Sequence, residues 1–184
     1  MVDEYGKCVQ IIGYKLRQTI DPKVFIEDAK DASRPVVSQF FDAETLAGKK
    51  HLFFATLNAT KSFSQGRNIA QTLDVEILLY TSAQRQIAEA IRMVGLRPQT
   101  ITLAAVLVGD NEEAVASAAK RLELLVPGDR DQSVIDRFNE EKFITLMEIY
   151  GIDENELEAL SGMSAEEALP WLIVERVALL DARR

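Results

Sequence analysis

The pattern of apolar and polar positions divides the chain into short strand-like runs and longer helical stretches. Residues 8–16, CVQIIGYKL, are rich in β-formers and predict a first strand. Asp21-Pro22 then has the chemistry of a helix start, with aspartate as N-cap and proline as first helical residue. Val24, Phe25, Ala29 and Ala32 share one face of that helix, and Pro35 ends it. Val36–Phe41 predicts a second strand, followed by a polar connection from Asp42 to Gly48. From Lys49 to about Gln65, the residues Leu52, Phe53, Phe54, Ala55, Leu57, Ala59 and Phe63 surround most of a helix. Such a helix is either central in the core or covered by a partner. Between Asn68 and Tyr80 the short apolar run EILLY fits a helix and a strand equally.

Thr81–Val94 predicts one continuous helix. Thr81 and Gln84 have capping-box spacing, and Ala83, Ile87, Ala90, Ile91 and Val94 form its apolar stripe. Gly95 closes it, and Arg85, Glu89 and Arg92 fall on the opposite face. Thr100–Val108 is apolar enough to be a central third strand. Asp110 with Glu113 starts a further helix with the stripe Val115, Ala118, Ala119, Leu122, Leu125 and Val126, and its acidic first turn suits the helix dipole. Pro127–Asp131 reads as a surface turn. Beyond it come helices over Lys142–Tyr150, Asp153–Leu160 and Pro170–Asp181. Asp153 with Glu156 and Ser164 with Glu167 have the spacing of helix starts, and Pro170 is read as opening the last helix. The expected fold class is α/β: a single mixed domain over residues 1–184, about three to four strands packed with helices. Residues 127–184 form its mainly helical C-terminal part.

Length and composition narrow this picture. The 184 residues suit one domain, and 47% hydrophobic residues supply a core, which argues against disorder. The longest apolar stretches, Leu103–Val108 and Trp171–Val174, are too short to cross a bilayer, so no membrane is expected. The polar opening MVDEYGK has no secretory pattern, and one cysteine cannot form an intramolecular disulfide; a cytoplasmic protein is expected. A net charge of −8 is the opposite of a general nucleic-acid coat, so any RNA contact must come from a local patch or be shared with a more basic partner.

Candidate chemistry is sparse. His51 is the only histidine and Cys8 the only cysteine, which removes any His/Cys metal cluster. His51 is expected at a helix start, exposed or hydrogen-bonded to backbone, and Cys8 as a buried thiol in a strand. No G-x-S-x-G elbow, phosphate-binding glycine loop or calcium loop occurs. Val108-Gly109-Asp110-Asn111 lies between a strand and a helix, but its acidic neighbours repel phosphate. Glu112-Glu113 and Asp153–Glu158 are carboxylates of helix first turns. No catalytic set, metal or cofactor is therefore expected, and a small-molecule enzyme has no candidate residues. What remains is a basic, amide-rich cluster of Lys49, Lys50, Asn58, Lys61, Arg67, Asn68, Arg85 and Gln86, in which Lys50, Phe54, Asn58 and Lys61 recur at helical spacing. Such side chains contact phosphates, as they equally line a solvated helix face.

The segment HLFFATLNATKSFSQGRNIAQTLDVEILLYTSAQRQIAEAIRMVGL surrounds that cluster. It resembles the signature of the small kinase-binding subunit of the KEOPS tRNA-modification complex, the family of the PRPK-binding protein. The elements that carry the resemblance are Ala55 and Ala59, Asn68-Ile69, Glu76-Ile77-Leu78-Leu79, Ser82 to Ile91, and Gly95; Gln84-Arg85-Gln86-Ile87 is the most specific piece. The end, WLIVERVALLDARR, is similar to archaeal members, while Pro127–Ser164 matches least and is longer than in compact members.

The resemblance implies a subunit without catalysis of its own. It would dock on the kinase-like ATPase subunit and help capture the tRNA 3′ CCA end, while another subunit transfers threonylcarbamoyl to adenosine 37. On that reading Lys61, Arg67 and Arg85 contact phosphates, with Asn58, Asn68 and Gln86 as hydrogen-bonding neighbours. The apolar residues Ile87, Ile91, Leu172 and Val177 are the candidates for the kinase contact. A protein-interaction subunit that touches no RNA is the alternative, and the acidic charge favours it.

Overall fold

In the computed structural model, residues 6–181 are described; the polar opening 1–5 and the last three residues of the C-terminal segment lie outside them. A four-stranded antiparallel sheet in the order β2-β3-β1-β4 forms the middle layer. Its strands are β1 (Cys8–Leu16), β2 (Val37–Asp42), β3 (Thr102–Gly109) and the short β4 (Gly128–Arg130). The strand alternation sorts side chains to two sides. Cys8, Ile12, Tyr14, Phe40, Leu103, Ala105 and Leu107 face one way, onto α1 (Pro22–Ser33) and α5 (Glu112–Leu125). Val9, Phe41, Ala104, Val106 and Val108 face the other way, onto the larger helical layer. That layer comprises α2 (Gly48–Ser64), α3 (Leu73–Ser82), α4 (Ile87–Val94), α6 (Ser133–Asp136), α7 (Glu140–Tyr150), α8 (Glu154–Ala159) and α9 (Ala165–Leu179). β3 is buried on both faces along Thr102–Val108, which is why its sequence is a continuous apolar run rather than an alternating one.

Several local expectations hold to the residue. β1 spans the expected range, and the Asp21 carboxylate accepts from the amides of Lys23 and Val24 while Pro22 opens α1. Capping boxes start α8 at Asp153 and α9 at Ser164. Other expectations are corrected. α5 is capped by Asn111, whose Oδ1 accepts from the Ala114 amide, and Asp110 pairs with Lys7 instead. The expected surface turn after Pro127 contains β4, which pairs with Tyr14–Leu16 of β1. The connection Asp42–Gly48 is largely buried, with Ala43 and Leu46 inside the core and Asp42 held by Thr100. Pro170 lies inside α9, six residues beyond the Ser164 cap, because a satisfied capping box outweighs the one helical hydrogen bond that a proline nitrogen cannot make.

The largest correction concerns Thr81–Val94, which is two helices. α3 ends at Ser82, Ala83 adopts a left-handed conformation (φ 52°), and α4 begins only at Ile87. In a continuous helix the Thr81 carbonyl would accept from the Arg85 amide. Here it accepts from His51 Nε2 at 2.9 Å and from the Tyr150 hydroxyl at 3.0 Å, so tertiary bonds take the place of the next helical one. The EILLY run is helical, and every residue from Glu76 to Ser82 is buried.

Candidate nucleic-acid interface

Small residues on α2 bring its neighbours close. Its buried face is His51, Leu52, Ala55, Thr56, Ala59, Thr60 and Ser62, and the hydroxyls of Thr56 and Thr60 are satisfied by carbonyls one turn back. The large Phe53, Phe54 and Leu57 lie half-buried beside that face. α3 packs against α2 and so reaches the centre of the helical layer, which leaves polar side chains to gather at the helix ends.

At the C-terminal end of α2, Gly66 takes a left-handed conformation (φ 63°) and the Arg67 amide donates back to Ser62. The following turn is gripped by the fully buried Glu76 of α3. Its carboxylate accepts from the Ile69 amide at 2.9 Å and from the Ala70 amide at 2.6 Å. Between these two fixings, Arg67 and Asn68 are exposed. Arg67 lies 3.3 Å from Asp181, at the end of α9, and the Tyr80 hydroxyl donates to the same carboxylate at 3.0 Å. Burial pushes the Tyr80 hydroxyl up to about 12, which keeps it a neutral donor.

Also at the α9 terminus, Ala83, Gln84, Arg85, Gln86, Glu89 and Leu180 line a hollow of about 390 Å³. The structure thus brings Arg67, through Asp181, and the Arg85-Gln86 loop, through Leu180, to the end of one helix. Lys61 stands half-buried in the last turn of α2. Among the described residues, neither Lys61 nor Arg85 has a carboxylate within ion-pair distance. Asn58 is less available, because its Nδ2 donates to the Phe54 carbonyl at 2.8 Å; Asn68 similarly donates to Ala70. Lys50, at the opposite end of α2, lies 5.4 Å from the Trp171 ring centre.

The apolar candidates separate cleanly. Ile87 and Ile91 are exposed on α4 (47% and 51%), whereas Leu172 and Val177 are core residues of α9 (6% and 0%) and offer no surface to a partner. α9 instead exposes Trp171 and Leu179, which sequence reasoning passed over. Its charged residues Glu166, Glu167, Glu175 and Arg176 are spread around the helix rather than gathered on one face, so periodicity could not say which side was covered. Trp171, Pro170, Val174, Phe138, Lys49 and Lys50 contribute to the lining of a groove of about 570 Å³ beside the N-terminus of α2.

His51 is fully buried, with both ring nitrogens bonded to backbone. Its Nδ1 accepts from the Ala47 amide at 3.2 Å, so the proton sits on Nε2 and is donated to Thr81. Among the described residues, no group of three or more His, Cys, Asp or Glu could hold a metal, and no helix is long and apolar enough to cross a membrane.

A four-stranded antiparallel sheet with helices on both faces defines a single mixed α/β domain. Residues 17–181 match the family described as kinase binding protein CGI-121, and the chain belongs to that family. It is 34% identical over 97 residues to the KEOPS complex subunit Cgi121 of Pyrococcus abyssi, an alignment covering 50% of this chain and 57% of that protein. It is 32% identical over 114 residues to the regulatory protein Cgi121 of Methanocaldococcus jannaschii, covering 62% of this chain and 70% of that one.

Proposed function

We propose that this chain is a non-catalytic accessory subunit of a KEOPS-type assembly in the cytoplasm. It docks on a kinase-like ATPase subunit and helps recruit tRNA through the 3′ CCA end for threonylcarbamoylation of adenosine 37. Membership of a kinase-binding family and the name of the Pyrococcus relative support the assembly half of this reading. Ile87 and Ile91 offer apolar surface on α4 to such a partner, with Trp171 and Leu179 on α9.

The observation that carries the RNA half is the grouping of Arg67, Asn68, Arg85 and Gln86 around the end of α9, with Lys61 nearby on α2, in a chain that is otherwise acidic. Exposed guanidinium and amide groups on two short loops suit phosphates and unpaired bases of a single-stranded end. The more basic surfaces of other subunits would supply the remaining phosphate neutralisation. A titration of the purified chain with intact tRNA and with tRNA lacking its CCA, at two salt concentrations, tests this. Binding that requires the CCA and weakens with salt is expected; equal affinity for both RNAs would remove the CCA from the reading.

The net charge of −8 favours a second reading, a protein-interaction subunit that meets the kinase and no RNA. No binding to either RNA at low salt selects it.

A further inference from the structure

The exposed pair Arg67-Asn68 is held by an unusual device. On its N-terminal side the chain is fixed by the close of α2, where Gly66 and Arg67 donate to Phe63 and Ser62. On its C-terminal side the fixing comes from a side chain. Glu76, in the first turn of α3, reaches back to the residues before its own helix and takes both the Ile69 and Ala70 amides. A carboxylate with no exposure and no cation within ion-pair distance among the described residues is costly to bury. Charge-assisted bonds from backbone amides offset that cost only while the loop keeps its shape. The same bonds therefore tie the conformation of residues 67–70 to the core of the helical layer. The Asn68 side chain closes the turn from within, by donating to the Ala70 carbonyl.

We propose that Glu76 is a positioning residue for RNA: it holds the loop so that Arg67 stays beside the α9 terminus, where its guanidinium pairs with Asp181 and donates to Gln65 and where a phosphate would take the place of those partners. This rests on the RNA-binding reading above. Without the carboxylate, two buried amides lose their acceptor and the loop no longer has one shape. Arg67 then bears the entropy of ordering on each encounter with RNA.

The test is a double-mutant cycle on the full chain, using Glu76→Leu, Arg67→Ala and the combination, with tRNA affinity read by fluorescence anisotropy. Amide exchange at Ile69 and Ala70 is followed in parallel. Glu76→Leu is expected to weaken tRNA binding about tenfold, the order of the cost of immobilising one rotamer-rich side chain on binding, and to abolish protection of both amides. Arg67→Ala should add little in the Glu76→Leu background, because Glu76 acts through Arg67. A purely structural residue gives additive losses, and additivity overturns the proposal. So does an unchanged affinity of Glu76→Leu, or an Arg67→Ala variant that binds like the parent, while the RNA reading stands on Lys61 and Arg85. If the parent chain binds no tRNA, the RNA reading itself fails and the proposal falls with it. Should Glu76→Leu not fold, Glu76→Gln carries the same cycle: its single amide oxygen keeps part of the grip, and a smaller, still non-additive loss is expected.

Discussion

Stability should fall between pH 7.5 and pH 5 because of one side chain. His51 is the only histidine, is fully buried, and serves as acceptor to Ala47 and donor to Thr81. Burial lowers its pKa from 6.5 to about 4; the bond to Thr81 opposes that shift and the positive charge of Lys142 adds to it. Protonation would also place an N–H on Nδ1 against the Ala47 amide from which it now accepts. The folded pKa lies below the unfolded one, so the unfolded chain binds more protons as pH drops. The stabilisation is complete above pH 6.5 and is lost progressively as pH falls toward 4. From these two values the loss at pH 5 is about 2 kcal/mol, which for a chain of this size lowers Tm by roughly 4–8 °C. The assay is urea unfolding of the parent and of His51→Leu at both pH values. His51→Leu should be weaker at pH 7.5, since the Ala47 amide loses its partner, but should lack the pH-dependent fall. Burial raises the Asp42 pKa, which acts in the opposite sense and is common to both proteins, so it cancels in the difference. A His51→Leu variant with the same pH slope as the parent would show that His51 does not set this dependence.

Three further outcomes are expected. Lys61→Glu with Arg85→Glu should weaken tRNA binding and lower the salt slope by about 0.7 for each phosphate no longer neutralised, with an unchanged circular dichroism spectrum; unchanged affinity at low salt removes both residues from the interface. Gly13→Ala should cost about 2 kcal/mol or more in urea unfolding, because a Cβ there would sit 2.4 Å from the Asp131 carbonyl and 2.9 Å from Val134. Ile87→Glu with Ile91→Glu should leave Tm within about 2 °C yet weaken capture of the kinase-like partner, whereas Leu172→Glu should unfold the chain, as thermal denaturation will report.

Those strands and helix starts that rest on local chemistry were legible. The β-former run of Cys8–Leu16, the Asp21-Pro22 start and the Ser164 and Asp153 boxes are stated within a few residues of sequence. What was not legible depended on partners far along the chain. Nothing between Thr81 and Gly95 announces a break, since the Ala83 turn exists because His51 and Tyr150, 30 and 69 residues away, take the Thr81 carbonyl. Leu172 and Trp171 are adjacent apolar residues on a helix with no polar face, and only packing tells the buried one from the exposed one. Of the candidate RNA contacts, Arg67, Asn68, Arg85 and Gln86 are exposed, while Asn58 and Asn68 each spend an amide N–H on a backbone carbonyl, Phe54 and Ala70 respectively.

Both loops that present these candidates share a physical logic. A loop of polar residues has many conformations, and each must be narrowed before a weak single-strand contact gains affinity. Here the narrowing is done from beneath, by polar groups buried in the helical layer. Glu76 holds the amides that follow Arg67 and Asn68, and His51 and Tyr150 hold the carbonyl that precedes Gln84-Arg85-Gln86. The small face of α2 makes this possible, because alanine and threonine let α3 sit deep enough for Glu76 and Thr81 to be fully buried. Low dielectric around those groups strengthens each bond and raises the cost of breaking it. Enlarging Ala55 or Ala59 should therefore disturb both loops together, although neither residue approaches the surface that the loops expose.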